Sequence, residues 1–383
     1  MQFEFATTPR VILRPGAMIR PSDWVSSLPG KRVFVITDPG LVKAGVIAPV
    51  VAALGQAGMS VTLYSDVEAD PPEARVMATV DAARAAGAEV VIGLGGGSSM
   101  DTAKLVALLA ASPQALDSIY GIGLAKGPRL PLVQVPTTAG TGSEVTPIAI
   151  VTTPTQEKKG VVSPLLYPDL AILDAELTLG LPPAVTAMTG IDAMVHAIEA
   201  YTSKLKKNPL ADSLAREALR LMYDHLPRVL ADGRNMESRS AMLAGSMMAG
   251  MAFANAPVAA VHALAYPLGG HFHVPHGLSN ALVLAPVLAY NLPAAEGWYA
   301  ELASVINPAR RFASQAEAAR WFVDDMTRLV ASMPFSQRLR EVGVTEGDLD
   351  MLAADAMKVE RLLVNNPRPM TLQAAREIYA SQL

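Results

Sequence analysis

Asp192 and His196 lie four residues apart in TGIDAMVHAIEAYTS, a segment whose pattern predicts a helix. Four helical steps of about 100° bring two side chains to nearly the same angular position one turn apart, so both can reach a single point beside the helix. A carboxylate and an imidazole at that point can bind a divalent metal ion. The pair alone is more typical of a hydrogen-bonded core histidine with a capping or salt-bridged aspartate, so a metal site requires further ligands.

A histidine-rich segment further along the chain, AAVHALAYPLGGHFHVPHGLSNA, offers such ligands. Packing alone does not account for four histidines within fifteen residues. These four are His262, His271, His273 and His276. His225 lies at a predicted helix end, and we assign it no special role.

Composition limits the class of protein. The length of 383 residues favours two domains, and 51% hydrophobic residues supply large, helix-rich cores. A balance of 31 basic and 35 acidic residues leaves no basic stripe, so we expect no nucleic-acid partner. The absence of cysteine excludes disulfides, thiolate nucleophiles and iron–sulfur ligation, so nitrogen and oxygen must hold any metal. The N-terminus lacks a secretory pattern and no apolar run reaches the length of a membrane span, so we expect a soluble, cytoplasmic protein without a membrane partner.

Strand-like and helical runs alternate in the first part of the chain. β-Rich runs at 32–37, 60–65 and 89–95 are each followed by a helical pattern, which favours a parallel sheet with helices on both faces. We expect further strands at 131–136, 148–153 and 170–173. Beyond residue 180 we expect helices at 184–203, 210–231, 236–254, 258–269, 277–290 and 314–332, with shorter pieces to the end. The sequence therefore predicts an α/β domain over residues 1–180 and an all-helical domain over residues 181–383.

A glycine turn joins the third of these strands to a helix. It consists of Gly95, Gly96 and Gly97, followed by Ser98 and, in the first turn of the helix, Asp101. Glycines let a ligand approach the backbone closely, and a helix N-terminus offers unpaired N–H groups to a phosphate. The turn matches neither GxGxxG nor the Walker A pattern, and a plain turn with Ser98 as the helix cap is the alternative.

Two other features suit a dinucleotide. The loop after the strand at 131–136 is rich in hydroxyl groups that can contact phosphate or ribose, although a polar surface loop has the same composition. Its candidate residues are Thr137, Thr138, Thr141 and Ser143. Asp38, at the end of the first strand, can accept hydrogen bonds from a ribose diol and repel a 2′-phosphate, which favours NAD over NADP. Taken alone, an aspartate at this position is more often only the first residue of a turn.

Four segments, in chain order, resemble the iron-containing (group III) alcohol dehydrogenase family. They are GGGSSMDTAK, PTTAGTGSEVTP, GIDAMVHAIEAY and VHALAYPLGGHFHVPHGLSNA. The resemblance implies a Rossmann-like NAD(P) domain, a helical metal-binding domain of the dehydroquinate synthase-like fold, a cleft between them and a homodimer. In that family one aspartate and three histidines bind a divalent metal. The matching residues here are Asp192, His196, His262 and His276.

This ligand set suits Fe²⁺ or Zn²⁺ by chemistry, and the resemblance favours Fe²⁺. A divalent metal lowers the pKa of an alcohol, which can then transfer hydride to a nicotinamide; in reverse, the metal polarises an aldehyde or ketone. Because Ala, Met, Val, Leu and Phe surround the proposed ligands, we expect a small, fairly apolar alcohol or aldehyde as substrate.

One position departs from the family pattern. Many members have a second histidine in HAMAH that assists proton transfer, whereas this chain has Tyr266 there. Either Tyr266 relays the proton through its hydroxyl, or it forms a pocket wall and His273 or water takes that role. His271 and His273 are candidates for the pocket or for a surface loop. Lys159, next to Lys158, matches a region near the cofactor in the family, or both lysines are simply solvated.

Three other activities belong to related proteins. Hydroxyacid–oxoacid transhydrogenases use the same metal and nicotinamide machinery. Maleylacetate reductases work without a metal and generally lack the full Asp and His set. A lyase like dehydroquinate synthase would need a site richer in Lys, Arg and Asn for an anionic, phosphorylated substrate.

Overall fold

The computed structural model describes residues 2–155 and 157–383. The chain forms two compact units, Thr7–Gly180 and Leu181–Leu383, and the residues through Ala6 belong with the second. Asn255 accounts for that assignment, because its side-chain amide accepts from the Ala6 N–H at 2.8 Å and donates to the Ala6 carbonyl at 2.9 Å.

A six-stranded parallel sheet forms the centre of the first unit. The strands of this unit are β1 Val11–Leu13, β2 Arg32–Ile36, β3 Ser60–Tyr64, β4 Val90–Gly95, β5 Gly121–Ile122, β6 Leu132–Pro136, β7 Ile148–Thr152, β8 Lys158–Val162 and β9 Leu170–Leu173. The order in the large sheet is β1-β9-β6-β4-β2-β3, with every neighbouring pair parallel. The predicted parallel sheet is therefore confirmed.

Helices cover both faces of this sheet, as the alternating pattern predicted. They are α1 Ser22–Val25, α2 Pro39–Lys43, α3 Ile47–Gln56, α4 Glu73–Ala85 and α5 Gly97–Ala111. Because successive strand residues point to opposite faces, Phe34 packs in one core with Val80 and Leu105, whereas Val35 packs in another with Leu54. The helical pattern after Asp38 is two helices, since Gly45 adopts a positive φ of 76° between them.

A second, three-stranded sheet contains a strand that the sequence indicated and two that it did not. Its order is β5-β8-β7, and β7 pairs antiparallel with β8. The run at 148–153 thus forms β7 outside the main sheet. Two- and three-residue strands such as β5 and β1 are too short to show an alternating pattern, and Lys158, Lys159 and Gly160 obscure the pattern of β8.

The second unit is helical. Its helices are α6 Pro183–Thr202, α7 Pro209–Ala231, α8 Met236–Asn255, α9 Ala260–Phe272, α10 His276–Ile306, α11 Gln315–Ala331, α12 Leu349–Met357, α13 Glu360–Leu363 and α14 Leu372–Ala380. The predicted end of α10 at residue 290 is wrong, because the helix continues through Pro286 and Pro293 to Ile306. Buried Ala295, Tyr299 and Leu302 on its second half supply packing that offsets the hydrogen bonds lost at the prolines.

The full length of α10 also changes one expectation. The helix has 31 residues and contains an 18-residue stretch with a mean hydropathy of 1.3, so it is long and apolar enough to cross a membrane, although no such run was expected. Inside the helical unit 61% of this stretch is buried, as in a helix that is apolar all round and lies in a protein core. The helices α8 and α9 pass the same test only as a pair bent by 104°.

Candidate active site

Three helices of the second unit bring the four proposed metal ligands together. Asp192 and His196 lie on α6, His262 lies in the first turn of α9, and His276 is the first residue of α10. One potential ligand atom from each residue lies within 4.8 Å of the others. Three of the residues are buried, while the His276 side chain is 33% exposed, so the cluster is closed on its inner sides and open beside His276.

The side chains converge closely enough to share one ion. Asp192 Oδ1 lies 3.6 Å from His276 Nε2 and 4.0 Å from His262 Nε2. The His196 ring stacks between Phe253 and His262, with centroid distances of 4.4 and 4.7 Å. One carboxylate and three imidazoles fit Fe²⁺ or Zn²⁺.

The electrostatics of Asp192 are consistent with a ligand that stays ionised. Burial raises the pKa of this carboxyl group, but the neighbouring His196, His276 and His262 and a hydrogen bond from Asn280 outweigh burial, so the pKa lies below its ordinary value. The group is therefore a carboxylate at neutral pH, available to a cation.

Sequence reasoning missed two polar residues that contact the cluster. Glu199 Oε2 lies 2.7 Å from His262 Nδ1, and Asn280 Nδ2 donates to Asp192 Oδ1 at 2.5 Å. The signal was present, because Glu199 is seven residues after Asp192 on α6 and Asn280 is four residues after His276 on α10, each on the same helix face. The other amide atom, Asn280 Oδ1, is buried and has no hydrogen-bond partner within residues 2–155 and 157–383, which fits a site that takes an additional group.

The glycine turn and the hydroxyl-rich loop lie against each other in the α/β unit. A Cβ on Gly95, whose φ is 156°, would come within 2.6 Å of Ser99 Oγ, and one on Gly97 would lie 2.9 Å from Thr141 Cγ2. Gly96 differs, since the nearest atom to its Cβ position is Thr138 Oγ1 at 3.8 Å. The turn is therefore tightly packed at its two ends and open at its middle residue.

Two polar residues flank the turn. Ser98 does not cap α5, because the helix begins at Gly97 and Ser98 Oγ instead accepts a hydrogen bond from the Asp70 N–H at 3.2 Å. Asp38 caps α2, since its Oδ1 accepts from the Leu41 N–H at 3.0 Å. Its Oδ2 faces the turn, 3.5 Å from the Cβ position of Gly95, so Asp38 is both a turn residue and a neighbour of the glycines.

Asp101 and Ser143 belong to a buried network whose centre, Lys104, the sequence analysis overlooked. Lys104 Nζ donates to Ser143 Oγ at 2.7 Å, to Thr146 Oγ1 at 3.1 Å and to the Ile148 carbonyl at 2.6 Å. Asp101 accepts from Ser143 Oγ at 2.6 Å and from the Ile150 N–H at 2.9 Å. These side chains hold α5, the loop and β7 together. The spacing of Asp101 and Lys104, one turn apart on one helix face, was the available signal.

Burial shifts the ionisation of this network. It lowers the pKa of Lys104 to about 8, against the attraction of Asp101 and Glu144. It raises the pKa of the neighbouring Glu144 to about 7 and raises that of Asp101 as well.

Both halves of the chain match models of one family. Residues 8–175 match the model described as iron-containing alcohol dehydrogenase, and residues 186–383 match the C-terminal model of the Fe-containing alcohol dehydrogenase family. The chain belongs to the iron-containing alcohol dehydrogenase family.

Individual members of the iron-containing alcohol dehydrogenase family are similar over nearly the whole chain. Long-chain-alcohol dehydrogenase 1 of Geobacillus thermodenitrificans (strain NG80-2) is 40% identical over 95% of this chain and 92% of its own length. A crystal structure of 1,3-propanediol oxidoreductase, at 34% identity, has a TM-score of 0.96 with all of both chains covered. Sulfoacetaldehyde reductase from Bifidobacterium kashiwanohense, solved in complex with NAD⁺, has a TM-score of 0.88 at 28% identity and covers 100% of this chain and 99% of its own.

These likenesses confirm the family resemblance, the two-part fold and the reaction class. The chain is an oxidoreductase of the alcohol dehydrogenase type, and its cluster of one aspartate and three histidines could hold a metal ion.

The residue at which this chain departs from the iron-containing alcohol dehydrogenase pattern lies beside the cluster. The Tyr266 ring centre is 6.2 Å from that of His276, and the Arg361 guanidinium lies 5.9 Å from the Tyr266 ring centre. His273 ends α9 in the left-handed conformation, where its backbone N–H bonds to the Leu268 carbonyl. His271 Nε2 lies 2.6 Å from Asp355 Oδ2 of α12, so it forms a hydrogen bond between α9 and α12.

The two lysines of β8 have different surroundings. Lys158 Nζ bonds to Asp70 Oδ1 at 2.7 Å, and the Asp70 backbone in turn reaches Ser98 beside the glycine turn. Lys159 lies 3.5 Å from Glu157, and its side chain is 48% exposed. The structure thus connects Lys158, rather than Lys159, with the glycine turn.

Proposed function

We propose that this chain is an NAD-linked, metal-dependent alcohol dehydrogenase in which Asp192, His196, His262 and His276 bind one divalent ion. The observation that carries the proposal is the convergence of four ligand atoms, within 4.8 Å of one another, from three separate helices. Fe²⁺ is the proposed ion, with Zn²⁺ as the alternative. When bound, the ion supplies Lewis-acid chemistry to an alcohol hydroxyl or a carbonyl oxygen.

The residues around the cluster define how a substrate is held. Exposure of His276 on one side gives a small alcohol access to the cluster, while Phe253 and the packed helices exclude water from the other sides. The proposed substrate is a small, fairly apolar alcohol or the corresponding aldehyde or ketone. Two relatives are named for alcohols on either side of this proposal, one for long-chain alcohols and one for 1,3-propanediol.

The proposed cofactor site is the glycine turn with its adjoining loop. Gly96 leaves room for a phosphate at the N-terminus of α5, and Thr138 and Thr141 border it. The Asp38 carboxylate beside Gly95 favours a ribose diol over a 2′-phosphate, and therefore NAD over NADP. The NAD⁺ complex of the sulfoacetaldehyde reductase relative supports this assignment. Lys158 joins the candidates at this site, next to Lys159.

Tyr266 is the proposed group for proton transfer, in preference to His273. Its ring adjoins His276 at the exposed side of the cluster, whereas His273 occupies the end of α9. Replacement Tyr266→Phe, with solvent isotope effects measured on both proteins, tests this role. An unchanged rate and isotope effect would assign Tyr266 to the pocket wall.

Two measurements test the whole proposal. Metal analysis of the purified protein should find about one divalent ion per chain in wild type and a large loss in His262→Ala; equal metal content in both would refute the site. Absorbance at 340 nm with a panel of alcohols should show net reduction of NAD. Turnover of a hydroxyacid and oxoacid pair without net change in NAD would instead indicate a transhydrogenase, and unchanged NAD that copurifies would indicate a lyase. Dependence on added metal separates the proposal from a maleylacetate reductase.

Assembly and location complete the proposal. We propose a homodimer, on the resemblance to the family, and a cytoplasmic protein. Light scattering of the purified chain tests the first, and cell fractionation tests the second.

A further inference from the structure

A buried carboxylate behind the cluster makes contacts that the hydride-transfer chemistry does not use. Glu199 is only 4% exposed. Its Oε2 lies 2.7 Å from His262 Nδ1, and its Oε1 accepts a hydrogen bond from the Val261 backbone N–H at 2.7 Å. Both oxygens of one side chain on α6 therefore hold the beginning of α9.

The contact with His262 determines which ring nitrogen carries the proton. An ionised carboxylate only accepts hydrogen bonds, so Nδ1 of His262 must be the N–H donor. In the neutral ring Nε2 then has the free lone pair, and this atom faces Asp192 Oδ1 at 4.0 Å. The hydrogen bond thus selects the tautomer in which the ligand atom points into the cluster.

The contact with Val261 determines where His262 stands. Helix α9 begins at Ala260, and no side chain of its own caps it. The Val261 N–H is one of the donors that a helix leaves unpaired in its first turn, and a carboxylate there also interacts favourably with the helix dipole. Glu199 therefore fixes both the helix start and the ring of the ligand next to it.

We propose that Glu199 is a positioning residue of the metal centre, which sets the tautomer and orientation of His262 from behind. This inference rests on the proposed metal site. Residues that accept hydrogen bonds from metal-bound histidines commonly change metal affinity by roughly 10- to 100-fold when they are replaced.

Glu199→Gln is the sharpest variant because glutamine keeps the shape but has one acceptor where two are needed. If its oxygen accepts from Val261, its amide group faces His262 Nδ1 and favours the other tautomer, in which Nε2 carries a proton and cannot bind metal. If its oxygen accepts from His262, the amide group opposes the Val261 N–H. Either arrangement disturbs the beginning of α9.

The test is a chelator competition for Zn²⁺ and Fe²⁺ on wild type and Glu199→Gln, without any activity assay. We expect the variant to bind roughly 10- to 100-fold more weakly. Nitrogen NMR shifts of the zinc-loaded, ¹⁵N-histidine-labelled proteins should show a protonated Nδ1 at His262 in wild type and a changed signal in the variant. The matched control is Glu301→Gln, because Glu301 accepts from the Tyr201 hydroxyl of the same α6 helix; its affinity should equal that of wild type.

Other outcomes separate this inference from the proposed function. A Glu199→Gln protein with wild-type metal affinity and a lower Tm would make Glu199 only a helix cap and overturn the inference. Wild type that binds no metal would instead overturn the proposed function. If Glu199→Gln does not fold, Glu199→Asp, which keeps the charge but withdraws it by one methylene, should show a smaller loss of affinity; full affinity there would also overturn the inference.

Discussion

The metal-ligand cluster of the helical unit and the Lys104 network of the α/β unit are both buried and polar, but they are built in opposite ways. In the helical unit, four potential ligand atoms converge on a common point, and the buried Oδ1 of Asn280 has no hydrogen-bond partner among the described residues. In the α/β unit, the Lys104 ammonium, Asp101 and Ser143 satisfy one another and the backbone around them. The helical cluster is arranged to be completed by a bound group. The side chains of the Lys104 network already satisfy one another. A group of buried polar residues is therefore a candidate for ligand binding when its potential ligand atoms converge on one point, and a structural element when its side chains hydrogen-bond to one another.

The largest effect should follow the loss of the single carboxylate of the helical cluster. Asp192→Asn keeps the shape but removes the charge that faces three imidazoles, so we expect loss of bound metal and a fall in kcat/KM of about a thousandfold, equivalent to several kcal/mol of electrostatic stabilisation. Metal analysis and steady-state kinetics measure both. Asp224→Asn, on α7 in the same unit, is the control, since Asp224 pairs with Arg220 at 3.5 Å. If Asp192→Asn keeps its bound metal, Asp192 serves the fold and is not a metal ligand.

Lys104→Met should lower the stability of the fold and leave metal binding unchanged. It removes the ammonium that joins three elements and leaves Asp101 buried without its cation, so we expect a loss of about 3 to 5 kcal/mol in the free energy of unfolding. Metal affinity should not change. Denaturant unfolding and chelator competition test the two halves of this expectation, with Lys159→Met as a control at a partly exposed lysine of the same unit. Weaker metal binding in Lys104→Met would contradict the separation of the two clusters.

The sequence predicted the structure best where a hydrophobic pattern recurs along the chain or where a rare residue type is concentrated. Strand and helix alternation predicted the parallel sheet because each buried strand is a run of apolar residues, as in β4. The segment that contains His262 and His276 was predicted to be part of a site because four histidines in fifteen residues are uncommon. Strands β1 and β5 could not be identified, since their pairing depends on partners distant in the chain. Tertiary packing likewise extends α10 past two prolines.

The same limit applied to the sites. Asp101 and Ser143 have residue types and positions that suit contact with a cofactor. Only the folded structure shows that they bond to each other and that Ser143 also bonds to Lys104. Glu199 and Lys104 were overlooked although each has helical spacing to a candidate residue. Charged residues at such spacing are common on solvated helix faces, and only burial distinguishes these two.

The pH dependence of stability should report the self-contained cluster. The pKa of Glu144 is raised from 4.5 to about 7, so the folded state binds a proton more tightly than the unfolded state. Its stabilising contribution is complete below pH 4.5 and is lost as pH rises towards 7, by at most about 3 kcal/mol. Denaturant midpoints of Glu144→Gln should lack this decline relative to wild type. Equal pH profiles of the two proteins would show that Glu144 ionises normally.

Lys104 gives the opposite slope at higher pH. Its pKa falls from 10.5 to about 8 on folding, so between these values the unfolded chain binds the extra proton and stability rises with pH. The summed contribution of Glu144 and Lys104 to the stability of wild type should therefore be lowest between about pH 7 and 8. Lys104→Met should lack the rise above pH 8.

The smallest effect tests whether any part of the α/β unit, like the helical cluster, is left open for a ligand. Gly96→Ala places a methyl group where the structure has room and a normal φ of −77°, so folding should be nearly unaffected. If NAD phosphate occupies that space, its affinity should fall about tenfold, or roughly 1.4 kcal/mol. Gly97→Ala is the contrasting variant, because its methyl group would lie 2.9 Å from Thr141 Cγ2. This variant should lower the stability of the fold, whereas Gly96→Ala should not. NADH fluorescence titration and thermal unfolding of both variants separate the effects. Unchanged NADH affinity in Gly96→Ala would mean that the turn, like the Lys104 network, serves the fold alone.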